Sequence, residues 1–348
     1  MAAAERPSEP RPAGAPAARA GTLVIHPGAL GDVLLAVPAL RALRAAAPEE
    51  PLTLAAQPHL GALAAALGLA DRPLALERLG LEALFVDDGA PPRAPALAAA
   101  ARVVCWLGAG DPVFVARLRR LAPTAVVAST RPTGGALVWE HLLGTTGLAP
   151  AGAGSDAAPG LCAPVPVPPA LEAAGARALR AAGWDGTQPL LVVHPGAGGR
   201  AKRWPVEAFA RVLDAVAEAG VDCAVALSEG PADAEAVAAL APRLRGPTLV
   251  LHELALPVLA GALRHARAWL GNDSGATHLA AAVGAPTVAL FAAPNLPWRP
   301  WSPTATVLVV DTARAAAADV DRVAAALVAA LRGAPLSGAP AGTRARSG

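Results

Sequence analysis

Three glycine-containing turns concentrate the residues able to do chemistry in this chain: Gly28 to Asp32, Gly196 to Lys202 and Gly271 to Gly275. Each follows a short apolar run and precedes a helical pattern. In open α/β sheets, ligands bind at such places, because helix N-terminal amides point outward and carry partial positive charge. Gly271-Asn272-Asp273-Ser274-Gly275 offers N–H groups near Gly275 and Ala276, with the Ser274 hydroxyl as a further donor, a set that suits a diphosphate. The same Asn/Asp/Ser string also reads as a helix cap that does nothing but cap. Asp32, at the mouth of the first helix, is a carboxylate able to accept a hydroxyl proton or simply to complement the helix dipole. His278 lies one helical turn beyond the third loop, where it either donates to a ligand or packs.

The cations are almost uniform. Of 29 basic side chains, Lys202 is the single lysine. A solvated surface cation tolerates Arg or Lys equally, so a place that keeps Lys points to a compact ammonium where a planar guanidinium would not fit. Lys202 stands in Ala201-Lys202-Arg203-Trp204-Pro205, just ahead of a helical pattern, within reach of a phosphate held between the second and third turns. Neither G-x-x-x-x-G-K-[ST] nor G-x-G-x-x-G occurs, which disfavours a kinase or a simple dehydrogenase. The 27 acidic side chains bring the net charge to +2, and no long basic run is present to track a nucleic-acid backbone. Cys105, Cys162 and Cys223 lie far apart with no C-x-x-C spacing, so neither a zinc site nor a disulfide framework is expected. No carboxylate cluster suggests a divalent metal.

These turns need a parallel α/β scaffold to hold them. Leu23-Val24-Ile25 reads as a strand, followed by a helix through Arg44 whose Val33, Val37, Leu40 and Leu43 recur at helical spacing. Further strand-like runs follow at Leu52 to Ala55, Leu84 to Val86, Val103 to Leu107 and Ala125 to Ala128, with Ala/Leu-rich crossovers between them. The second half restarts at Leu190 to Val193 with His194-Pro195-Gly196-Ala197, an echo of His26-Pro27-Gly28-Ala29. Strands at Cys223 to Leu227, Thr248 to Leu251, Ala268 to Leu270 and Thr287 to Phe291 then alternate with helices. The expected division is a disordered tail over 1–20, a domain over 21–150, a Pro/Gly-rich linker over 151–170, a second domain over 171–312, a terminal helix within 313–332, and a disordered tail over 333–348. The first twenty residues lack the apolar core of a secretory signal, and no run of about 18 apolar residues is present to span a membrane.

Taken together, the motifs resemble glycosyltransferase family 9, the lipopolysaccharide heptosyltransferases. Gly28-Ala29-Leu30-Gly31-Asp32-Val33-Leu34-Leu35 resembles the family's opening motif, while His194 to Trp204 and Gly271-Asn272-Asp273-Ser274-Gly275-Ala276-Thr277-His278 resemble its two donor-domain motifs, in the family's order. The resemblance implies a GT-B fold, two Rossmann-like doubly wound domains facing across a cleft, with the acceptor on the first and a nucleotide sugar on the second. It implies inverting, metal-independent transfer, heptose from ADP-heptose being the family's suggestion, onto a lipopolysaccharide core or related saccharide acceptor. Asp32 would be the general base and Lys202 would bind the leaving diphosphate. Gly31, Gly196, Ala197, Asp273, Ser274, Gly275, His278 and, by a looser match, Asp233 would line the donor site. No cofactor beyond the donor is implied, and the setting would be cytoplasmic, with peripheral contact to the membrane's inner face.

The chain departs from the family where the first strand ends, placing His26 and Gly28 where a basic residue and Ser are usual. Arg117, Arg119 and Arg120 are the candidates for binding an anionic acceptor sugar. Two other readings fit the same turns: a sugar-nucleotide epimerase of the same architecture, and a catalytically silent nucleotide-sugar-binding protein.

Overall fold

A computed structural model describes residues 21–86, 94–148 and 160–333. Its first sheet contains β1 (Thr22–Ile25), β2 (Leu52–Ala56), β3 (Arg72–Ala75), β4 (Arg102–Cys105) and β5 (Val126–Val127), in the order β3-β2-β1-β4-β5. The second contains β6 (Leu190–His194), β7 (Ala224–Glu229), β8 (Thr248–His252), β9 (Ala266–Asn272), β10 (Thr287–Phe291) and β11 (Ala305–Val309), in the order β11-β10-β9-β6-β7-β8. Every pairing is parallel. Helices therefore cover both faces, which is why the central strands read as unbroken apolar runs; Leu190 to Val193 are each 1% exposed or less. The strand order reverses between β1 and β4 and again between β6 and β9, and those two crevices are where ligand loops gather.

Several expected elements shift. The run Leu84 to Val86 is no strand: Leu81–Leu84 forms a 3-10 turn, and Phe85 and Val86 that follow are 41% and 59% exposed. The third strand is instead Arg72–Ala75, whose Pro73 lacks an N–H and is tolerated because β3 is an edge. The first helix is two, Leu30–Leu35 and Val37–Ala46, broken at Ala36 where Pro38 enters the second one's first turn. A final strand, β11, lies beyond the last one expected.

The terminal helix Ala317–Arg332 is part of the second domain, because Val320, Val323, Leu327 and Leu331 are buried in one core with Leu191, Val288 and Leu290. Of the expected linker, 160–168 is docked rather than loose. The Arg41 guanidinium donates to the carbonyls of Leu161 (2.8 Å), Ala163 and Pro164 (3.2 Å), while Val165 N–H donates to Ala282 O at 2.7 Å. Arg41 also lies 5.6 Å from the Trp301 ring, and Trp301 Nε1 donates to Leu34 O at 2.8 Å, so the second domain is stitched to the first. Residues 1–20, 151–159 and 334–348 of the expected tails and linker lie outside the described residues.

Candidate active site

Asn272 ends β9 and organises the second domain's two loops. Fully buried, it donates from Nδ2 to Pro195 O (2.8 Å) and Gly196 O (3.3 Å) and accepts from Trp204 N at Oδ1 (3.1 Å). One amide thus clamps both ends of the Gly196–Lys202 turn to the strand that carries Asp273 and Ser274. His194, at the end of β6, stacks on Trp269 at 5.7 Å and bonds Ser228 O through Nδ1 at 3.0 Å. Burial lowers its pKa, with the nearby Asp233 carboxylate acting the other way.

The Gly275–Ala282 helix opens with Ser274 as its cap. The Ser274 hydroxyl was expected to donate to a ligand, and the hydrogen-bond inventory here spends it inward. Thr277 Oγ1 gives its single proton to Asn272 O at 2.6 Å, so its 3.1 Å contact with Ser274 Oγ requires Ser274 to donate. Ser274 Oγ in turn accepts from Thr277 N at 3.2 Å, and His278 N bonds Ser274 O at 3.1 Å. The amides of Gly275 and Ala276 remain as the helix's outward donors, a pair suited to an anion.

Lys202 reaches this helix end. Its Nζ lies 2.8 Å from Asp273 Oδ2, with Lys202 41% and Asp273 6% exposed. Asn295 Nδ2 donates to the same carboxylate oxygen at 3.0 Å, and His278 Nε2 lies 3.9 Å from Oδ1. Asp273 therefore holds the ammonium in place instead of facing a ligand itself. Asp233, matched loosely to a ribose-binding acid, is 8% exposed, accepts from Gly230 N at 3.0 Å and stands in the wall of the cleft cavity. A Cβ at Gly196 would stand 1.9 Å from Asp233 Oδ1, so a side chain here would have to displace Asp233. Ala197 is buried, and its carbonyl accepts from Arg203 Nε and Nη2, each at 3.3 Å.

Asp32 meets this assembly from the other domain. It is half-buried in the first turn of the Leu30–Leu35 helix, accepting from Ala29 N through Oδ2 at 3.1 Å. The two domains touch there with almost nothing between them. A Cβ at Gly31 would lie 3.0 Å from His278 Cδ2, and one at Gly275 would lie 2.8 Å from Leu30 Cβ. Beside the seam opens a cavity of about 440 Å³, lined among others by Leu30, His194, Gly198, Asp233, Ser274 and Gly275. Its far wall adds Glu229 and Glu253, two acids that sequence reasoning passed over although Glu229 ends a strand. His252 Nδ1 lies 2.7 Å from Glu229 Oε1.

The structure does not bring the three arginine candidates to this cleft. Arg117 is buried at 3%, and Arg119 and Arg120 occupy the last turn of Pro112–Leu121. That helix runs back from the cleft edge of the sheet, which carries its last turn roughly 15 Å away at 1.5 Å per residue. Among the described residues, no three His, Cys, Asp or Glu side chains converge as a metal site would require.

His278 and His26 are both buried, and desolvation lowers each to about 4. An unfolded histidine titrates near 6.5, so below that pH the unfolded chain takes up protons that the folded chain refuses. Stability is then complete above about pH 6.5 and is lost as pH falls toward 4, by about 2 kcal/mol per histidine at pH 5. Melting at pH 7.5 and pH 5 should show a clear drop, and a flat melting point would contradict the burial argument.

Two Rossmann-like sheets whose loop edges meet at one cleft, with the start of the Gly275–Ala282 helix facing it from the second, define the GT-B class of fold. Residues 160–326, just under half of the chain, match the model of glycosyltransferase family 9 (heptosyltransferase). Lipopolysaccharide heptosyltransferase 3 of Escherichia coli is 34% identical over 120 residues, a stretch covering 33% of this chain and 35% of that protein. The match thus spans about a third of the relative's length. Two solved structures share the fold. E. coli ADP-heptose LPS heptosyltransferase II superposes with a TM-score of 0.64 at 19% identity, covering 90% of this chain and 98% of that one. E. coli heptosyltransferase WaaC with ADP superposes with a TM-score of 0.58 at 17% identity, covering 87% and 97%.

Proposed function

We propose that the protein is an inverting, metal-independent glycosyltransferase that moves heptose from ADP-heptose to a lipopolysaccharide core or related saccharide. The observation that carries this reading is the direct approach of Gly31 to His278 and of Leu30 to Gly275. It puts a carboxylate on one side of a cleft and two unpaired helix amides with an ammonium on the other. The diphosphate rests on the Gly275 and Ala276 amides beside Lys202. Asp32 takes the proton of the acceptor hydroxyl as its oxygen bonds to the anomeric carbon, and the carbon–oxygen bond to the phosphate breaks with its electron pair. Lys202 and the helix end offset the charge gathering on the leaving group, the role a metal ion plays elsewhere. ADP in WaaC and ADP-heptose in the name of heptosyltransferase II support the choice of donor.

One carboxylate at the reacting side favours a single displacement, hence inversion. Asp273, the acid nearest the anion-facing helix end, is already bonded to Lys202 and Asn295. The work is placed in the cytoplasm against the inner membrane face, where a lipid-linked acceptor is presented. No helix among the described residues is long and apolar enough to cross a membrane.

Incubation with ADP-heptose and a heptose-deficient lipopolysaccharide, in the presence of EDTA, tests the proposal by NMR of the product. Inverted configuration at the transferred anomeric carbon and undiminished ADP release are expected. Retained configuration or a chelator-sensitive rate would overturn the mechanism. Epimerised donor without acceptor would indicate the epimerase, and ADP binding with no turnover the silent protein.

A further inference from the structure

His26 is 0% exposed at the end of β1, with its ring edge against Trp106 at 5.4 Å. Its Nδ1 accepts from Gly28 N at 3.1 Å, and the next amide, Ala29 N, donates to Asp32 Oδ2 at 3.1 Å. Two consecutive amides of one turn are therefore fixed, the first by the imidazole and the second by the carboxylate. The space between is full. A Cβ at Gly28 would lie 2.7 Å from His26 Cε1, 2.6 Å from Asp32 Cβ and 3.0 Å from Asp32 Oδ2. These are the positions, 26 and 28, at which the chain departs from the family's usual basic residue and Ser.

We infer that His26 and Gly28 act together as positioning residues for Asp32, holding the turn so that one carboxylate oxygen is tied to Ala29 and the other is presented to the acceptor. Only Oδ2 of Asp32 has a hydrogen-bond donor among the described residues. The imidazole suits this task because it presents a fixed acceptor on a rigid ring locked by packing. Burial holds it neutral, with a pKa of about 4, so Nδ1 stays an acceptor throughout the neutral range and the proton sits on Nε2. Glycine is needed at 28 because any side chain would push on both the ring and the carboxylate it positions. A carboxylate displaced by about 1 Å from its productive place costs on the order of 100-fold in rate.

The inference rests on the assignment of Asp32 as base, and the experiment separates the two. ADP release from ADP-heptose with heptose-deficient lipopolysaccharide is measured for Asp32→Asn, His26→Phe, His26→Asn and Gly28→Ala, alongside ADP binding by calorimetry. ADP binding, which reads the second domain, is expected to be unchanged throughout. His26→Phe keeps the packing but removes the acceptor, and kcat should fall about tenfold or more with the donor KM unchanged. His26→Asn, whose amide oxygen stands near the place of Nδ1, should recover most of that loss, and Gly28→Ala should fall at least as far as His26→Phe. Nitrogen NMR of the wild type should show His26 as the Nε2–H tautomer from pH 6 to 8. Equal rates for His26→Phe and wild type, equal losses for the Phe and Asn variants, or a titrating His26 would overturn the inference while leaving Asp32 in place. Transfer that survives Asp32→Asn would remove the base assignment and the inference with it.

Discussion

Asp32→Asn should lower the transfer rate about a thousandfold, in the middle of the range for losing a positioned general base, while ADP binds as before. The amide is nearly the same size and its oxygen can still accept from Ala29 N, so the helix start keeps its cap and the Gly31–His278 contact is undisturbed. What disappears is the ability to take a proton. Binding on the second domain should be indifferent, because the amides of Gly275 and Ala276 and the Lys202 ammonium are supplied by loops that Asn272 fixes independently. Single-turnover ADP release and calorimetry on the same preparation check both halves. A variant that lost ADP affinity in parallel with rate would place Asp32 among the donor's ligands instead.

Lys202→Met should cost on the order of a hundredfold or more in kcat/KM, comparable to removing one donor from an oxyanion hole. The effect has two sources. The leaving diphosphate loses its nearest point charge, and Asp273, 6% exposed, is left with Asn295 as its hydrogen-bond donor. An unpaired carboxylate beside the anion site would repel the phosphates that the ammonium had welcomed. Lys202→Arg should rescue little, since a forked guanidinium cannot occupy the 2.8 Å contact with Asp273 and point a second way as compactly as an ammonium does. The double variant Lys202→Met with Asp273→Asn removes the repulsion, and ADP affinity should recover in part while kcat stays low. Equal ADP affinity in wild type and Lys202→Met would deny the lysine its place in the donor site.

Much of the scaffold could be read from the chain because buried parallel strands announce themselves: Thr287–Phe291 was bounded to the residue, and Thr248–His252 to within one. Arg72–Ala75 gave no such signal, since an edge strand is half-wet and can carry both Arg72 and Pro73. The three glycine turns were legible from glycine and cap chemistry, yet which partners each side chain takes inside them was not. Ser274 and Asp273 are donor-site residue types by composition, and only the competing partners Thr277 and Asn295 turn them inward. The seam is the least legible feature. Leu30 and Gly275 are close only after two domains have folded and docked, and no local pattern encodes a contact across that separation.

That seam brings together the starts of two helices, Leu30–Leu35 and Gly275–Ala282, each of which ends there in exposed peptide dipoles of the same sign. Like poles at close quarters resist one another. Asp32 quiets the first pole with its own carboxylate, but the second has no acidic residue in its first turn and waits for charge from outside. An anion lodged there, as the proposed donor's diphosphate would be, would act as electrostatic mortar between the two halves of the molecule. By reciprocity, whatever presses the halves together raises the anion's affinity by the same factor. If the proposed diphosphate lodges there, its capture and the close approach of the two halves become two readings of a single equilibrium.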